Sequence, residues 1–151
     1  MKKSFSLLEI IFVIAIIALI LSFALKNGFS FLSHASSAKI KTDIALIRNA
    51  IATSANKRVY HGKLEYPQRL DDAPINVENQ LLFKGLNPNA LLEYPLLSTS
   101  KELKKKASWV KVSNTVYGVF INSETFVEFT YDNSTGNFTC NYEQTACKDL
   151  D

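Results

Sequence analysis

The sequence predicts an α+β protein in which a long N-terminal helix packs on a C-terminal antiparallel β-meander of three to four strands. Three observations predict it. Residues 5–25 form a run of twenty-one with a single charge, Glu9. Residues 35–57 then turn amphipathic with helical period. Residues 109–113 and 125–131 alternate apolar and polar with a period of two, and 116–121 is rich in β-branched and aromatic residues.

The apolar run comes first in the chain. At 1.5 Å rise per residue it makes a helix of roughly 31 Å, about the hydrocarbon thickness of a bilayer. Lys2 and Lys3 precede it. By the positive-inside rule they stay in the cytoplasm, so the chain after residue 25 lies on the other side. A carboxylate within such a run is costly, about 2.5–3.5 kcal/mol near the centre of a span and less toward its edge. A plain anchor has no use for it.

Lys2-Lys3-Ser4-Phe5-Ser6-Leu7-Leu8-Glu9, followed by Ile10-Ile11-Phe12-Val13-Ile14-Ala15-Ile16-Ile17-Ala18, resembles the start of a type IV pilin or type II secretion pseudopilin. The resemblance covers about the first thirty residues. It implies a pilin-like fold, a prepilin leader at residues 1–4, cleavage between Ser4 and Phe5 by a prepilin peptidase, and N-methylation of Phe5. It makes Glu9 the assembly glutamate. The family usually has glycine before the cut, where this chain has Ser4, also small. The implied partners are other pilin or pseudopilin subunits, the prepilin peptidase/methyltransferase and an inner-membrane assembly platform. The implied location is the bacterial inner membrane, single-pass, with the N-terminus cytoplasmic and the head periplasmic, then a periplasmic or surface filament. A cleaved signal peptide and a signal anchor are the ordinary alternatives. The physical reading of Glu9 agrees with the resemblance. Cleavage creates an ammonium at Phe5, and Glu9 of one copy can meet that charge on a neighbour, so that two costly charges offset each other. Otherwise Glu9 is solvated at the headgroups.

The helix is expected over residues 5–57, with 5–25 as transmembrane segment and filament core and 35–57 as its amphipathic part. Ile40, Ile44, Ile47 and Ile51 follow i, i+4, i+7, i+11, one stripe that should dock on the head. Gly28 marks a candidate loosened turn. Gly62 is a plausible terminator. Residues 58–151 form the head. Its first half is irregular, with a turn and short helical piece at residues 65–70 and a one-turn helix at 87–92, capped by Asn87 with Pro88 first. The strands are expected at 109–113, 116–121, 125–131 and 137–142, with turns at Asn122-Ser123 and Asp132-Asn133-Ser134-Thr135-Gly136.

The formal net charge is +3, falling to +1 without Lys2 and Lys3, so global charge does not argue for nucleic acid. Locally, Lys101, Lys104, Lys105, Lys106 and Lys111 surround Trp109. Basic residues beside an aromatic can bind single-stranded nucleic acid or a membrane surface. A filament-tip minor pilin that binds DNA or an exported substrate through Lys104, Lys105, Lys106 and Trp109 is therefore the alternative function. The bland reading is a solvated turn with Trp109 in the core.

Cys140 and Cys147 close a short loop. A translocated head meets an oxidising compartment, where such a pair forms a disulfide. Free thiols are the alternative, and a metal site lacks two further ligands. His34 and His61 have no metal or triad partner at useful spacing. Asp71 and Asp72 could offer oxygens to calcium but lack a ligand series. There is no glycine-rich phosphate loop. No cofactor and no catalysis are expected. The sequence reads as a structural subunit for protein secretion, competence or pilus assembly.

Overall fold

The computed structural model describes residues 7–60, 62, 65–86 and 89–150, apart from the side chains of 24–34 and of Asn89. Ser4, Phe5, His61, Asn87, Pro88 and the side chain of His34 lie outside that description. The chain divides into two compact units between Ala35 and Ser36.

One helix, α1 (Leu7–Val59), crosses this division, and its backbone is helical through Gly28. In the first unit, every side chain of residues 7–23 is exposed. The Ser22 hydroxyl donates to the Ala18 carbonyl at 2.8 Å, which satisfies it within the helix. In the second unit the predicted stripe is the buried face: Ile40, Ile44, Ile47, Ile51 and Ala55 are at most 3% exposed. Burying an isoleucine side chain stabilises by about 1.5–3 kcal/mol, so this face supplies much of the head's cohesion. α1 ends where the Gly62 amide bonds the Val59 carbonyl at 2.8 Å, with Gly62 at φ +81°. That left-handed conformation suits glycine.

The meander has four strands: β5 (Trp109–Lys111), β6 (Val116–Phe120), β7 (Phe126–Tyr131) and β8 (Phe138–Cys140), all antiparallel in that order. Asn122 Oδ1 accepts from the Glu124 and Thr125 amides and shapes the β6–β7 turn. Asp132 organises the β7–β8 loop by accepting from the Ser134 amide and hydroxyl and from Thr135. These bonds, that of the Ser134 hydroxyl foremost, lower the Asp132 pKa below its usual value. Gly136 stands at φ +75°, and the Tyr66 ring occupies the place of its missing Cβ.

Tyr117, Val119, Val127, Phe129, Tyr131 and Phe138 face one core with the isoleucine stripe. Phe129 and Phe138 stack at 5.2 Å between ring centroids, and Phe83 meets Trp109 edge-on at 5.6 Å. On the opposite face of β6, the Phe126 ring covers Gly118.

The irregular half differs from expectation. Residues 65–70 contain no helix. Residues 89–90, expected in a one-turn helix, form β3 (Asn89–Ala90), which pairs antiparallel with β2 (Gly85–Leu86). A second short pair joins β1 (Leu81–Leu82) to β4 (Leu96–Leu97). The physical reason is long-range bonding. The Gly85 amide donates to the Leu70 carbonyl, and the Leu92 amide to the Phe83 carbonyl, which holds this segment extended over Leu82 and Phe83 in the core.

The β5 edge of the sheet is covered, and the β8 edge is blunted by a side chain. The Thr99 amide donates to the Trp109 carbonyl at 2.8 Å and the Asn76 amide to the Lys111 carbonyl at 2.9 Å, along the outer side of β5. At β8, Arg48 Nε donates to the Phe138 carbonyl at 2.9 Å. Covered edges do not template pairing with another chain. After β8 a short helix, α2 (Thr145–Lys148), carries Cys147 back to Cys140, and the two form a disulfide.

Candidate functional site

The first candidate is the apolar segment of α1. The large side chains of residues 7–23 are 46 to 78% exposed, on all sides of the helix. Surface helices of globular proteins have one apolar stripe, whereas a helix apolar all round is covered by protein or lipid. Glu9, in the first turn of the described helix, is exposed and is the one charge among residues 7–23. A carboxylate there complements the amide dipoles of the helix N-terminus. Among the described residues no helix is long and apolar enough to cross a membrane. The apolar stretch with described side chains, 7–23, is shorter than the roughly 20 residues a span takes, and both ends of the expected 5–25 segment lie outside it.

The basic segment is the second candidate, and the structure divides it. Lys104, Lys105 and Lys106 are exposed in the loop before β5. Trp109, grouped with them in the sequence, is 1% exposed, and its indole N–H donates to Asp43 Oδ2 at 3.0 Å. Asp43 also pairs with Lys39 at 2.8 Å. The aromatic half of the combination is thus in the core, held by a carboxylate on α1, and offers no face for a base. Lys111 is also buried. Its strand places it inward, where its ammonium lies 2.6 Å from Asp71 Oδ1.

Asp71 is the polar centre of the head, which its sequence neighbourhood does not signal. Oδ1 also accepts from the Ala73 amide, and Oδ2 from the Phe83 amide at 2.9 Å and the Tyr117 hydroxyl at 3.0 Å. Burial, reinforced by the Asp71 carboxylate, pushes the Tyr117 phenol far above its usual pKa. Asp71 is therefore a satisfied structural ion, and the calcium reading of Asp71 with Asp72 does not fit this arrangement. Asp72 is exposed and pairs with Lys84 at 2.6 Å, whose hydrogen bond lowers its pKa. Only the buried lysine two residues past Trp109 could have hinted at this pair, because a strand period of two puts 109 and 111 on one face.

Among the described residues, no three or more His, Cys, Asp or Glu side chains gather as metal ligands. A cleft of about 470 Å³ opens beside Arg48, Tyr66, Asn137 and Tyr142, and among the described residues no carboxylate, histidine or cysteine lines it. Cys140 and Cys147, both predicted as a bridge, are buried as one. Ser4 and Phe5 lie outside the described residues.

No protein family, curated protein or solved structure matches this chain.

Proposed function

We propose that this chain is a structural subunit, a pseudopilin or minor type IV pilin, of a bacterial envelope filament serving protein secretion, competence or pilus assembly. The observation that carries the reading is the helix of residues 7–23, apolar and exposed on all sides with one carboxylate near its start. Such a surface is stable only when covered. Lipid covers it before assembly, and the same segment of neighbouring copies covers it afterwards. The continuing part of α1 carries a compact head, and that head has blunted sheet edges. Copies therefore associate through the helix rather than by strand addition.

The precursor is held in the inner membrane with Lys2 and Lys3 cytoplasmic and the head periplasmic. The peptidase cuts after Ser4 and Phe5 is methylated. Glu9 then pairs with the Phe5 ammonium of a neighbour and sets the stagger between subunits. In this account the chain is a substrate of enzymes and not a catalyst. A buried disulfide suits a head exported to an oxidising compartment.

Mass spectrometry of the mature N-terminus tests the reading. The expected product begins at Phe5 and carries one methyl group. An intact Met1, or a cut beyond the apolar run, would overturn it.

A further inference from the structure

Where α1 ends, the head holds a small pocket that the assembly reading leaves unused. Ser54 and Arg58 of α1 form one wall, Gln68 and Arg69 another, and Pro67 and Leu86 supply apolar surface. Ser54 and Arg58 stand four positions apart, on one face of the helix. The segment after α1 is held in place by bonds to three elements. The Pro67 carbonyl accepts from the Tyr131 hydroxyl at 2.6 Å, the Tyr66 carbonyl from Arg58 at 3.4 Å, and the Leu70 carbonyl from the Gly85 amide at 2.8 Å. The walls are therefore set by α1, β2 and β7 before any ligand arrives, which reduces the cost of binding.

The charge of the pocket is one-sided. Two guanidiniums line it, and among the described residues no carboxylate does. Arg58 is half-buried and spends one of its N–H donors on the Tyr66 carbonyl. The Arg69, Gln68 and Ser54 side chains have no hydrogen-bond or ion-pair partner among the described residues. Like charges beside one small cavity repel each other, a cost that an anion removes. The size of the pocket selects the anion. Its volume is about 30 Å³. A cavity needs roughly 10–15 Å³ to hold one water, so there is room for about two oxygen atoms. A carboxylate presents two oxygens in one plane and matches guanidinium donors, whereas a tetrahedral phosphate needs more space. So few atoms bind weakly as a free small molecule, because affinity is limited per non-hydrogen atom. The carboxylate therefore belongs to a larger body whose other surfaces add to binding. We infer that this pocket receives the carboxylate of an aspartate or glutamate side chain of another protein chain. Arg58 and Arg69 grip its oxygens, Ser54 and Gln68 donate to them, and Pro67 and Leu86 lie against its stem. Every residue of the pocket belongs to the head unit, so the reading of the apolar helix does not enter.

The test is nuclear magnetic resonance of the full chain in detergent micelles, reading the arginine Nε–H signals, with the amide signals of the sheet as a control for folding. Acetate, inorganic phosphate and a capped Gly-Glu-Gly peptide are titrated at constant ionic strength, with capped Gly-Gln-Gly as the uncharged control. Acetate and the glutamate peptide should move the Arg58 and Arg69 signals together and saturably, the peptide binding at least as tightly, and the glutamine peptide should not. Arg58→Gln and Arg69→Gln should each lower the affinity about tenfold, and Ser54→Ala by less, with the sheet signals unchanged. Arg69 is exposed, so its variant keeps the test sharp if Arg58→Gln disturbs the head. No saturable response to either carboxylate would overturn the inference. So would phosphate binding more tightly than acetate, which would assign the pocket to a phosphate group. Tighter binding of acetate than of the glutamate peptide would overturn the protein partner and assign the pocket to a small carboxylic acid. None of these outcomes bears on the mature N-terminus, by which the assembly reading stands or falls separately.

Discussion

The Lys111 ammonium lies 2.6 Å from Asp71 Oδ1, with the two side chains 2% and 0% exposed. This pair joins the irregular half of the head to its sheet. Asp71 belongs to the segment after α1, Lys111 to β5, and Tyr117, on the other carboxylate oxygen, to β6. An ion pair out of water is favourable only when its remaining bonding capacity is filled, and here the Phe83 and Ala73 amides fill it. Lys111→Met strands a buried carboxylate and is expected to lower stability by about 3–5 kcal/mol. Adding Asp71→Asn removes the stranded charge while keeping an acceptor, so the double variant should recover part of the loss. Urea unfolding followed by the fluorescence of Trp109, the chain's one tryptophan, reads both. A Lys111→Met protein within about 1 kcal/mol of the parent would count against this account.

The tyrosines set an alkaline limit. Burial pushes the Tyr131 phenol from 10.0 up to about 12, and Tyr117 is pushed further in the same direction. The folded state therefore holds these protons more tightly than the unfolded chain does. The contribution of Tyr131 to stability is complete below about pH 10 and is lost as pH rises through 12, while that of Tyr117 goes on falling at higher pH, each at up to about 1.4 kcal/mol per pH unit. Tyr131 also donates to the Pro67 carbonyl at 2.6 Å. Tyr131→Phe should thus be less stable at neutral pH by about 1 kcal/mol. Its deficit should shrink above pH 10, because the variant has one fewer phenol to titrate. Unfolding curves at several pH values decide it, and a deficit constant with pH would show that Tyr131 does not couple to folding.

The fold was most legible where the pattern is local. The isoleucine stripe, the strand alternation through residues 126–131 and the turn residues Asn122, Asp132 and Gly136 each act through neighbours a few positions away. Residues 109–142 therefore read correctly to within two residues at most strand ends. Two-residue strands such as β2 and β3 have no period to detect, and the bonds that hold them reach to Leu70 and Lys84. The site was divided in the same way. Glu9 stands out as a lone charge in an apolar run. The core positions of Trp109 and Lys111 depend on carboxylates 66 and 40 residues away; a solvated turn with Trp109 in the core is the bland reading of this segment and is what the structure has, whereas nothing in the composition separates the buried Lys111 from the exposed lysines.

The disulfide does more than close a loop. Cys147 and Leu150 lie in the core, so the bridge holds the last turn of chain against β8. Replacing both cysteines with alanine frees that segment in the unfolded ensemble and should reduce stability by about 2–3 kcal/mol. Hydrogen exchange should rise first in residues 141–150, with the strands β5 to β7 still protected. Uniform loss of protection would mean that the tail and the sheet unfold as one unit.

Glu9 allows a test in which two effects run in opposite directions. Glu9→Leu removes a charge from the edge of the apolar segment, so partition into membranes should be equal or stronger, by less than the 2.5–3.5 kcal/mol that a mid-span charge costs. The head, whose core begins at Ile40, should unfold at the same urea concentration as the parent. On the proposed assembly, filament formation, followed by sedimentation, should nevertheless fail, because the Phe5 ammonium of each neighbour would be left without a counter-charge in an apolar surround. Glu9→Gln should fail in the same way, which separates charge from size. Assembly at the parental level in either variant would mean that Glu9 does not set the stagger and that the exposed apolar helix packs by shape alone.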